Sequence, residues 1–507
     1  MLTGIHLIEA LTWWKLNFTH PHILVYLFTT KFKPEQELAQ QRMFINLRAF
    51  MAVYAVNQER WSSRVSCYLA VVGAAVGLGS VWRFPYLTGT NGGSAFVLVF
   101  TIALFGIAAP LLIAEYMIGR SSRLNPPQAA GALSERYGGS KAWNAIGQLG
   151  MWAALIIMSY YTIIAGWLLA YGWRCAIGDL TKLAASQVTP YFHDFLSHPV
   201  ELAAWQFAFV AGIAMISAFG LKRGVEVVTK IRAPGLLILL LILLTYSLSR
   251  GHVREGLSFA FVPDVHHISG RIVLAAVGQA FFATGVGMGM MLAYGAYIPE
   301  GTSLLRSSFI VCASILGVSL IATVIIFPLV FAYHLSPEQG PELVFNVLPT
   351  AFAEMPAGRM IGTLFFVLLL LSALTPSLAG LEPATAWLQQ TFGLSRPKAS
   401  VLGCFAIWLM GIPSVLSFNV WAGWHPLHAL ARFRTSTLFD VLDFLSSNVL
   451  LTVGALLTCT LVGWRLPQAF ADGELVGEHK AVRTLIRGAL RYVCPVAIVA
   501  VLLAGIM

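Results

Sequence analysis

Residues 73–85 read GAAVGLGSVWRFP and residues 283–289 read ATGVGMG, so two apolar segments of this chain each carry closely spaced glycines. A glycine inside a helix costs about 1 kcal/mol relative to alanine, so glycines at every second position predict a break in each helix. Close helix packing through small residues is the alternative, but it favours a spacing of four. Within a bilayer, irregular backbone is tolerated only where it is buried or lines a cavity. We therefore predict two discontinuous helices that line an internal site.

The composition places both segments in a membrane. Of 507 residues, 58% are hydrophobic and 11% are charged, whereas soluble domains carry about 25% charged residues. The run Ala95–Ala114 contains no charge, and about 20 such residues span the hydrocarbon core as a helix. These features exclude a cytosolic enzyme, a disordered chain, a secreted disulfide scaffold and an outer-membrane barrel, whose strands alternate in polarity. They predict an all-α polytopic membrane protein.

We predict eleven transmembrane helices, of which the first and the sixth contain the glycine breaks. Their boundaries fall at 65–87, 94–117, 143–174, 201–220, 228–249, 272–297, 307–333, 358–389, 399–419, 439–463 and 488–506. Breaks five spans apart are typical of a 5+5 inverted repeat, the architecture of many secondary transporters. We therefore assign repeat 1 (spans 1–5) to residues 51–250 and repeat 2 (spans 6–10) to 251–465. A cytoplasmic loop and the single C-terminal helix occupy 466–507.

The charge distribution predicts the orientation. We attribute the net charge of +10 to cytoplasmic loops rather than to a nucleic-acid partner, because Lys and Arg accumulate on the inner side of membrane proteins. Counting them over the loops predicts a cytoplasmic N-terminus and an external C-terminus. Residues 1–50 mix charged and aromatic residues and do not match a signal peptide. We expect them to be an N-terminal extension that is peripheral or not native.

Eight motifs in this order resemble one family. They are Trp61-Ser-Ser-Arg64, residues 73–86, residues 91–96, residues 110–121, Ser159-Tyr160-Tyr161, residues 278–290, Leu374-Thr375 and residues 438–449. Together they resemble the neurotransmitter:sodium symporter family, in its bacterial amino-acid transporter branch, over about residues 57–500. The resemblance implies a leucine-transporter-like fold in the bacterial inner membrane. It also implies uptake of an amino acid or related amine driven by the sodium gradient.

The resemblance implies a substrate site between the two breaks. Backbone N–H groups of Leu78 and Gly79, with the Tyr161 hydroxyl, would hold the substrate carboxylate, as the free N–H groups of a helix N-terminus favour an anion. Carbonyls of Ala75 and Phe282 would hold the amine. The implied side-chain pocket consists of Ile157, Phe282, Ala283, Gly285, Met288, Pro376 and Gly380. It contains no charge, and its glycines are expected to leave room, which predicts a bulky neutral amino acid.

The resemblance also implies one or two sodium sites. The first would use Ala75, Ser80 and Ala283, but we expect it to bind sodium poorly, because neither Ala283 nor the nearby Ile315 supplies a side-chain oxygen to a hard cation. The second would use the carbonyls of Gly73, Val76 and Ser372 with the Thr375 hydroxyl. Pro376 stands beside it where the family has Ser, and it cannot donate to the Ser372 carbonyl. Chloride is not expected, because Phe100 replaces a Tyr.

The family's gates are only partly matched. Arg83 and Asp443 match its external ion pair, whereas Trp61, Tyr297 and Arg60 match the internal gate. Two further carboxylates, Glu115 and Glu382, lie within predicted spans, where a charge is costly unless it is paired. We expect them to cap a helix end, to pair with Arg60 or Arg64, or to bind a proton.

The sequence thus predicts a secondary active symporter that imports a neutral, bulky amino acid, hydrophobic or aromatic, by alternating access. The import is coupled to the sodium gradient. One alternative is a proton-coupled or ion-uncoupled transporter of the same fold. Another is a sensor that binds the substrate without transporting it. An enzyme is not expected, because the sequence contains no zinc-protease motif, nucleophile elbow or intramembrane histidine cluster.

Overall fold

The computed structural model describes residues 61–262, 268–333, 344–345, 347–354, 356–430 and 433–506. Within these ranges the regular structure is helical and contains no strand. The predicted N-terminal extension and Arg60 lie outside the described residues. The predicted all-α fold is therefore found throughout the part of the chain that can be examined.

We number eighteen helices of the described residues in chain order. They are α1 Arg64–Ala75, α2 Gly79–Thr90, α3 Ser94–Ser122, α4 Pro126–Arg136, α5 Lys141–Ile177, α6 Ala185–Ser197, α7 Pro199–Ala218, α8 Leu221–Arg250, α9 Val253–Phe261, α10 Gly270–Thr284, α11 Met290–Ala296, α12 Leu304–Ala332, α13 Val347–Glu354, α14 Gly358–Phe392, α15 Arg396–Leu416, α16 Leu438–Arg465, α17 Gln468–Glu474 and α18 Lys480–Leu503.

Among the described residues, nine helices are long and apolar enough to cross a membrane, and the bent pair α1–α2 raises the number to ten. Each of the nine coincides with one predicted span. The predicted sixth span corresponds to α10, a shorter apolar helix, followed after a break by α11. The chain is thus a multi-pass membrane protein, while the total of eleven spans and the inverted repeat stay predictions.

Both predicted helix breaks are present. The axes of α1 and α2 differ by 51°, and the chain between them leaves helical geometry at Val76, whose φ and ψ are −79° and 95°. Between α10 and α11, Gly285, Gly287 and Gly289 all have positive φ, at 66°, 86° and 70°. Residues other than glycine rarely adopt such φ angles, so the repeated glycines cause the second break.

The two breaks lie against the most deeply buried helices. In their most apolar windows, 83% of α5 and 67% of α14 are buried, compared with 28% of α8. The long helices α5 and α14 pack on each other, and α14 also contacts α1 and α11. Side chains that α5 and α14 present toward the breaks are therefore shielded from lipid.

Candidate substrate and ion site

The unwound part of the first span exposes backbone amides. α1 ends at Ala75, and α2 begins at Gly79 with a wide helical turn. The amides of Ser80 and Val81 donate to the Gly77 carbonyl at 3.0 and 3.2 Å. The preceding amides, those of Leu78 and Gly79, stand at the start of α2, where N–H groups have no partner within the helix. The positive end of the α2 dipole therefore faces the break.

Tyr161 places a hydroxyl at this helix start. The side chain comes from α5 and is only 6% exposed. Its hydroxyl is buried and makes no hydrogen bond of ordinary geometry to a described residue, while the Leu78 backbone N–H lies within interacting distance of the hydroxyl oxygen. Buried polar side-chain atoms in folded proteins nearly always have a partner. An unsatisfied hydroxyl beside helix-start amides is therefore suited to bind an anionic group of a ligand.

Phe282 connects the two breaks from the other side. A Cβ atom built on Gly79 would lie 3.2 Å from the Phe282 ring, so the glycine allows the ring to approach the α2 start closely. The Arg83 guanidinium carbon lies 4.2 Å from the centroid of the same ring, a cation–π geometry. Gln279 adds a polar link, since its Nε2 donates to the Gly79 carbonyl at 2.7 Å. The start of α2 is thus fixed to α10.

The expectation that Gly285 and Gly380 leave open room is wrong. A Cβ atom at Gly285 would lie 1.6 Å from the Met290 terminal methyl, and one at Gly380 would lie 2.7 Å from the Met158 sulfur. The glycines accommodate two methionines, which the sequence analysis did not include in the pocket. Methionine is flexible and fills irregular gaps. These two side chains are therefore able to move when a ligand enters.

The other predicted lining residues are apolar and buried. Ile157, Ala283 and Met288 are each less than 5% exposed, and Pro376 is also buried. No charged side chain belongs to the predicted lining. A charged substrate side chain would lose its hydration here without gaining a partner.

The first predicted sodium site offers few oxygens. Ser80 supplies a hydroxyl that is fully buried and has no partner within the described part of the chain. Ala283 and Ile315 occupy positions where the resemblance implies side-chain oxygen ligands. Both are buried, but neither carries a side-chain oxygen. Sodium prefers several oxygen ligands, as other hard cations do. The residues present fit a sodium ion poorly at this site.

The second predicted sodium site already contains a cation. The Thr375 hydroxyl donates to the Gly73 carbonyl at 2.6 Å, which joins α14 to α1. The Arg232 side chain reaches the same place from α8: its Nη1 donates to the Gly73 carbonyl at 3.3 Å and its Nη2 to the Val76 carbonyl. Its Nε donates to the Leu371 carbonyl at 2.7 Å. Two of the four predicted sodium ligands are thus hydrogen-bonded to a guanidinium.

The sequence contained a signal for Arg232. The residue lies within the predicted fifth span, 228–249, and a charge inside a span indicates a functional or paired group. The structure shows it only 4% exposed, so it is a buried charge of this kind.

The predicted external ion pair is not formed. Arg83 lies over Phe282, and no ion pair joins it to Asp443 among the described residues. One carboxylate oxygen of Asp443 accepts hydrogen bonds from Tyr160 at 2.9 Å and from Ser447 at 3.2 Å. The local tyrosine and serine thus take up the Asp443 charge in this conformation.

The described residues of the predicted internal gate are packed together by aromatic contacts and a buried ion pair. The Trp61 ring lies 5.3 Å from that of Tyr294 and 6.2 Å from that of Tyr297, both edge-on. The Tyr297 hydroxyl donates to Glu382 at 2.7 Å. Arg396, at the start of α15, binds both carboxylate oxygens of Glu382, at 3.1 and 2.7 Å. Trp61 is 3% and Glu382 is 1% exposed.

The predicted partners of the two intramembrane carboxylates need correction. Glu382 pairs with Arg396 rather than with Arg64, because α14 and α15 meet at this end. Glu115 accepts a hydrogen bond from the Gly287 amide at 2.7 Å. Its second oxygen is buried and has no partner in the ranges that the structure covers. Among the described residues, Glu115 therefore binds the unwound backbone between α10 and α11 and no basic side chain, while the predicted partner Arg60 lies outside them.

The comparisons with known proteins agree on one family. The sequence profile of the Sodium:neurotransmitter symporter family matches residues 58–186 and 191–506. An uncharacterized sodium-dependent transporter of Bacillus subtilis, YhdH, is 32% identical over 447 residues, which are 88% of this chain and 97% of that protein. An uncharacterized sodium-dependent transporter of Haemophilus influenzae is 33% identical over 416 residues, 81% of this chain and 90% of that protein.

A solved structure supports the same fold. The crystal structure of MhsT in complex with L-phenylalanine matches with a TM-score of 0.80 and 36% sequence identity. The match covers 88% of this chain and 99% of that chain. The helical architecture therefore belongs to a fold seen in an experimental structure that holds an amino acid.

Proposed function

Because this chain belongs to the sodium:neurotransmitter symporter family, whose members are transporters and not enzymes, we propose that it imports a neutral, bulky amino acid by alternating access. The observation that carries the substrate assignment is the Tyr161 hydroxyl, buried without a described partner beside the start of α2. A helix start with a hydroxyl is a suitable site for a carboxylate. The phenylalanine in the MhsT crystal structure is an amino acid of this kind.

The side-chain preference follows from the apolar surroundings. Met158 and Met290 fill the space beside Gly380 and Gly285, and methionines adapt to apolar groups of different shape. A hydrophobic side chain, aromatic or branched, would displace them without leaving a polar group unsatisfied. An acidic or basic side chain would be buried without a counter-charge. We therefore propose phenylalanine, tryptophan and leucine as the substrate class.

The names of the relatives support sodium as the coupling ion. We propose that at most one sodium ion accompanies the substrate and that chloride takes no part. Proton coupling through Glu115 is the second candidate, because one oxygen of this buried carboxylate has no partner among the described residues. We further propose that the protein lies in the bacterial inner membrane, with its N-terminus in the cytoplasm and its C-terminus outside.

Uptake into proteoliposomes tests this function. Labelled phenylalanine is added under an imposed inward sodium gradient or an imposed inward proton gradient, with unlabelled amino acids as competitors. We expect uptake that tryptophan and leucine inhibit and that glycine, glutamate and lysine do not. Uptake of glycine or glutamate that the three bulky amino acids fail to inhibit would contradict the proposal. Binding of phenylalanine without uptake under either gradient would indicate a sensor instead.

A further inference from the structure

Arg232 brings a permanent positive charge to the oxygens of the second predicted sodium site. It lies on α8 and is 4% exposed. A guanidinium in a protein stays protonated and can donate five hydrogen bonds. Three of its N–H groups donate to backbone carbonyls, those of Gly73, Val76 and Leu371. Within the described residues no carboxylate pairs with it, so carbonyl oxygens provide its charge compensation.

These carbonyls connect the same helices that a sodium ion would connect. Gly73 and Val76 lie at the C-terminal end of α1, where the helix dipole favours a cation. Leu371 precedes Ser372, the predicted sodium ligand of α14. The guanidinium thus joins the end of α1 to the middle of α14, as an ion bound to Gly73, Val76 and Ser372 would do. Because Arg232 belongs to a third helix, α8, the cation that connects α1 and α14 is a covalent part of the protein.

Two neighbouring residues match this arrangement. Gly73 has no side chain, and a Cβ atom there would lie 3.4 Å from Arg232 Nη1 and 3.1 Å from Thr229 Cγ2. Glycine therefore lets the guanidinium approach the carbonyl closely. Pro376 occupies the position where the family resemblance implies a serine hydroxyl, so a neutral oxygen has been lost at the same site at which a cation has been gained. Both departures reduce the need for a bound ion.

We propose that the Arg232 guanidinium takes the place of the sodium ion at the second site, as a cation tethered to α8. A sodium ion cannot share the Gly73 and Val76 oxygens with it, because two like charges in contact repel strongly in a low-dielectric interior. For the transport cycle, which rests on the proposed function, the consequence is specific. The guanidinium is tethered to α8 and cannot be released into the cytoplasm as a sodium ion would be. Instead, the Arg232 side chain moves away from α1 at that step.

Counting bound sodium tests the proposal directly. The purified wild-type protein is equilibrated with radioactive sodium, with and without saturating phenylalanine, and bound sodium is measured per chain. We expect at most one sodium ion per wild-type chain. The double variant Arg232→Met/Pro376→Ser frees the carbonyls and restores a hydroxyl, so it should bind one more ion than the wild type. The variant Arg232→Lys retains a charge and should bind no more than the wild type.

Each outcome bears on the proposal. Two sodium ions per wild-type chain would overturn it. So would a double variant that elutes as a single species, binds phenylalanine and gains no ion. Where the double variant does not fold, the single variant Arg232→Met, which also frees the Gly73 and Val76 carbonyls, is compared with the wild type in the same way. Failure of the wild type to bind any of the bulky amino acids in sodium or potassium medium would contradict the proposed function instead, while the sodium count without amino acid would still report on Arg232.

Discussion

Removing the Tyr161 hydroxyl should weaken substrate binding without unfolding the protein. The hydroxyl is buried and makes no hydrogen bond of ordinary geometry to a described residue, so Tyr161→Phe removes at most a weak contact with the Leu78 backbone N–H from the substrate-free protein. In the complex, the proposed bond is to a charged carboxylate, and such hydrogen bonds contribute about 1.5–3 kcal/mol. At about 1.4 kcal/mol per factor of ten, the dissociation constant for phenylalanine should rise about 10- to 150-fold. Equilibrium binding of labelled phenylalanine to the purified variant measures this change.

The chain offers a matched control on the same helix. Tyr171 also lies on α5, is fully buried, and has a hydroxyl without a partner in the described structure. It packs among aromatic rings, including those of Phe195 and Phe366, and not at the start of α2. Tyr171→Phe should therefore leave the affinity unchanged within about twofold. The reasoning is refuted if Tyr161→Phe binds phenylalanine as the wild type does, or if Tyr171→Phe loses as much affinity.

Three further changes test the breaks, the internal gate and the pocket. Gly287→Ala places a Cβ atom 2.5 Å from a carbonyl oxygen of α16 at a φ of +86°, so the melting temperature of this variant should fall sharply. Gly278→Ala adds a Cβ atom in open space and should melt as the wild type does. Equal melting temperatures of the two variants would contradict this. Glu382→Gln removes the carboxylate charge that the buried Arg396 binds and should cost about 3–5 kcal/mol of stability. Adding Arg396→Gln should restore part of that stability in a double-mutant cycle, and additive losses would contradict the pairing. Gly380→Ala places a Cβ atom 2.7 Å from the Met158 sulfur, which must move. The overpacking, about 1–3 kcal/mol, should weaken tryptophan binding more than leucine binding in competition assays. An unchanged ratio of the two affinities would contradict this.

The helix breaks could be predicted because their cause is local. Glycines at every second position allow repeated positive φ angles whatever surrounds them. The structure has such angles at the second break, at Gly285, Gly287 and Gly289, but at none of the glycines of the first break. The apolar lining was likewise visible in the sequence. The open space at Gly380 was not correctly predicted, because the side chain that fills it, Met158, comes from another helix.

The ion site illustrates the same limit more strongly. The family resemblance implied which oxygens of α1 and α14 face each other, and the Thr375 hydroxyl does donate to the Gly73 carbonyl. It could not show that Arg232, on a third helix, would reach those oxygens. Similarly, the Glu382 carboxylate was recognised as needing a partner, but Arg396 becomes that partner only when α14 and α15 pack together.

Counterflow tests the central claim, transport of a bulky neutral amino acid, most directly. Proteoliposomes loaded with unlabelled phenylalanine are diluted into trace labelled phenylalanine, with the same salt and pH on both sides, in sodium medium and separately in potassium medium. Exchange needs alternating access but no imposed ion gradient, so the result is independent of the coupling ion. We predict transient accumulation of label, abolished by external tryptophan or leucine and unaffected by glutamate. No accumulation in either medium, from protein that binds phenylalanine, would contradict the account.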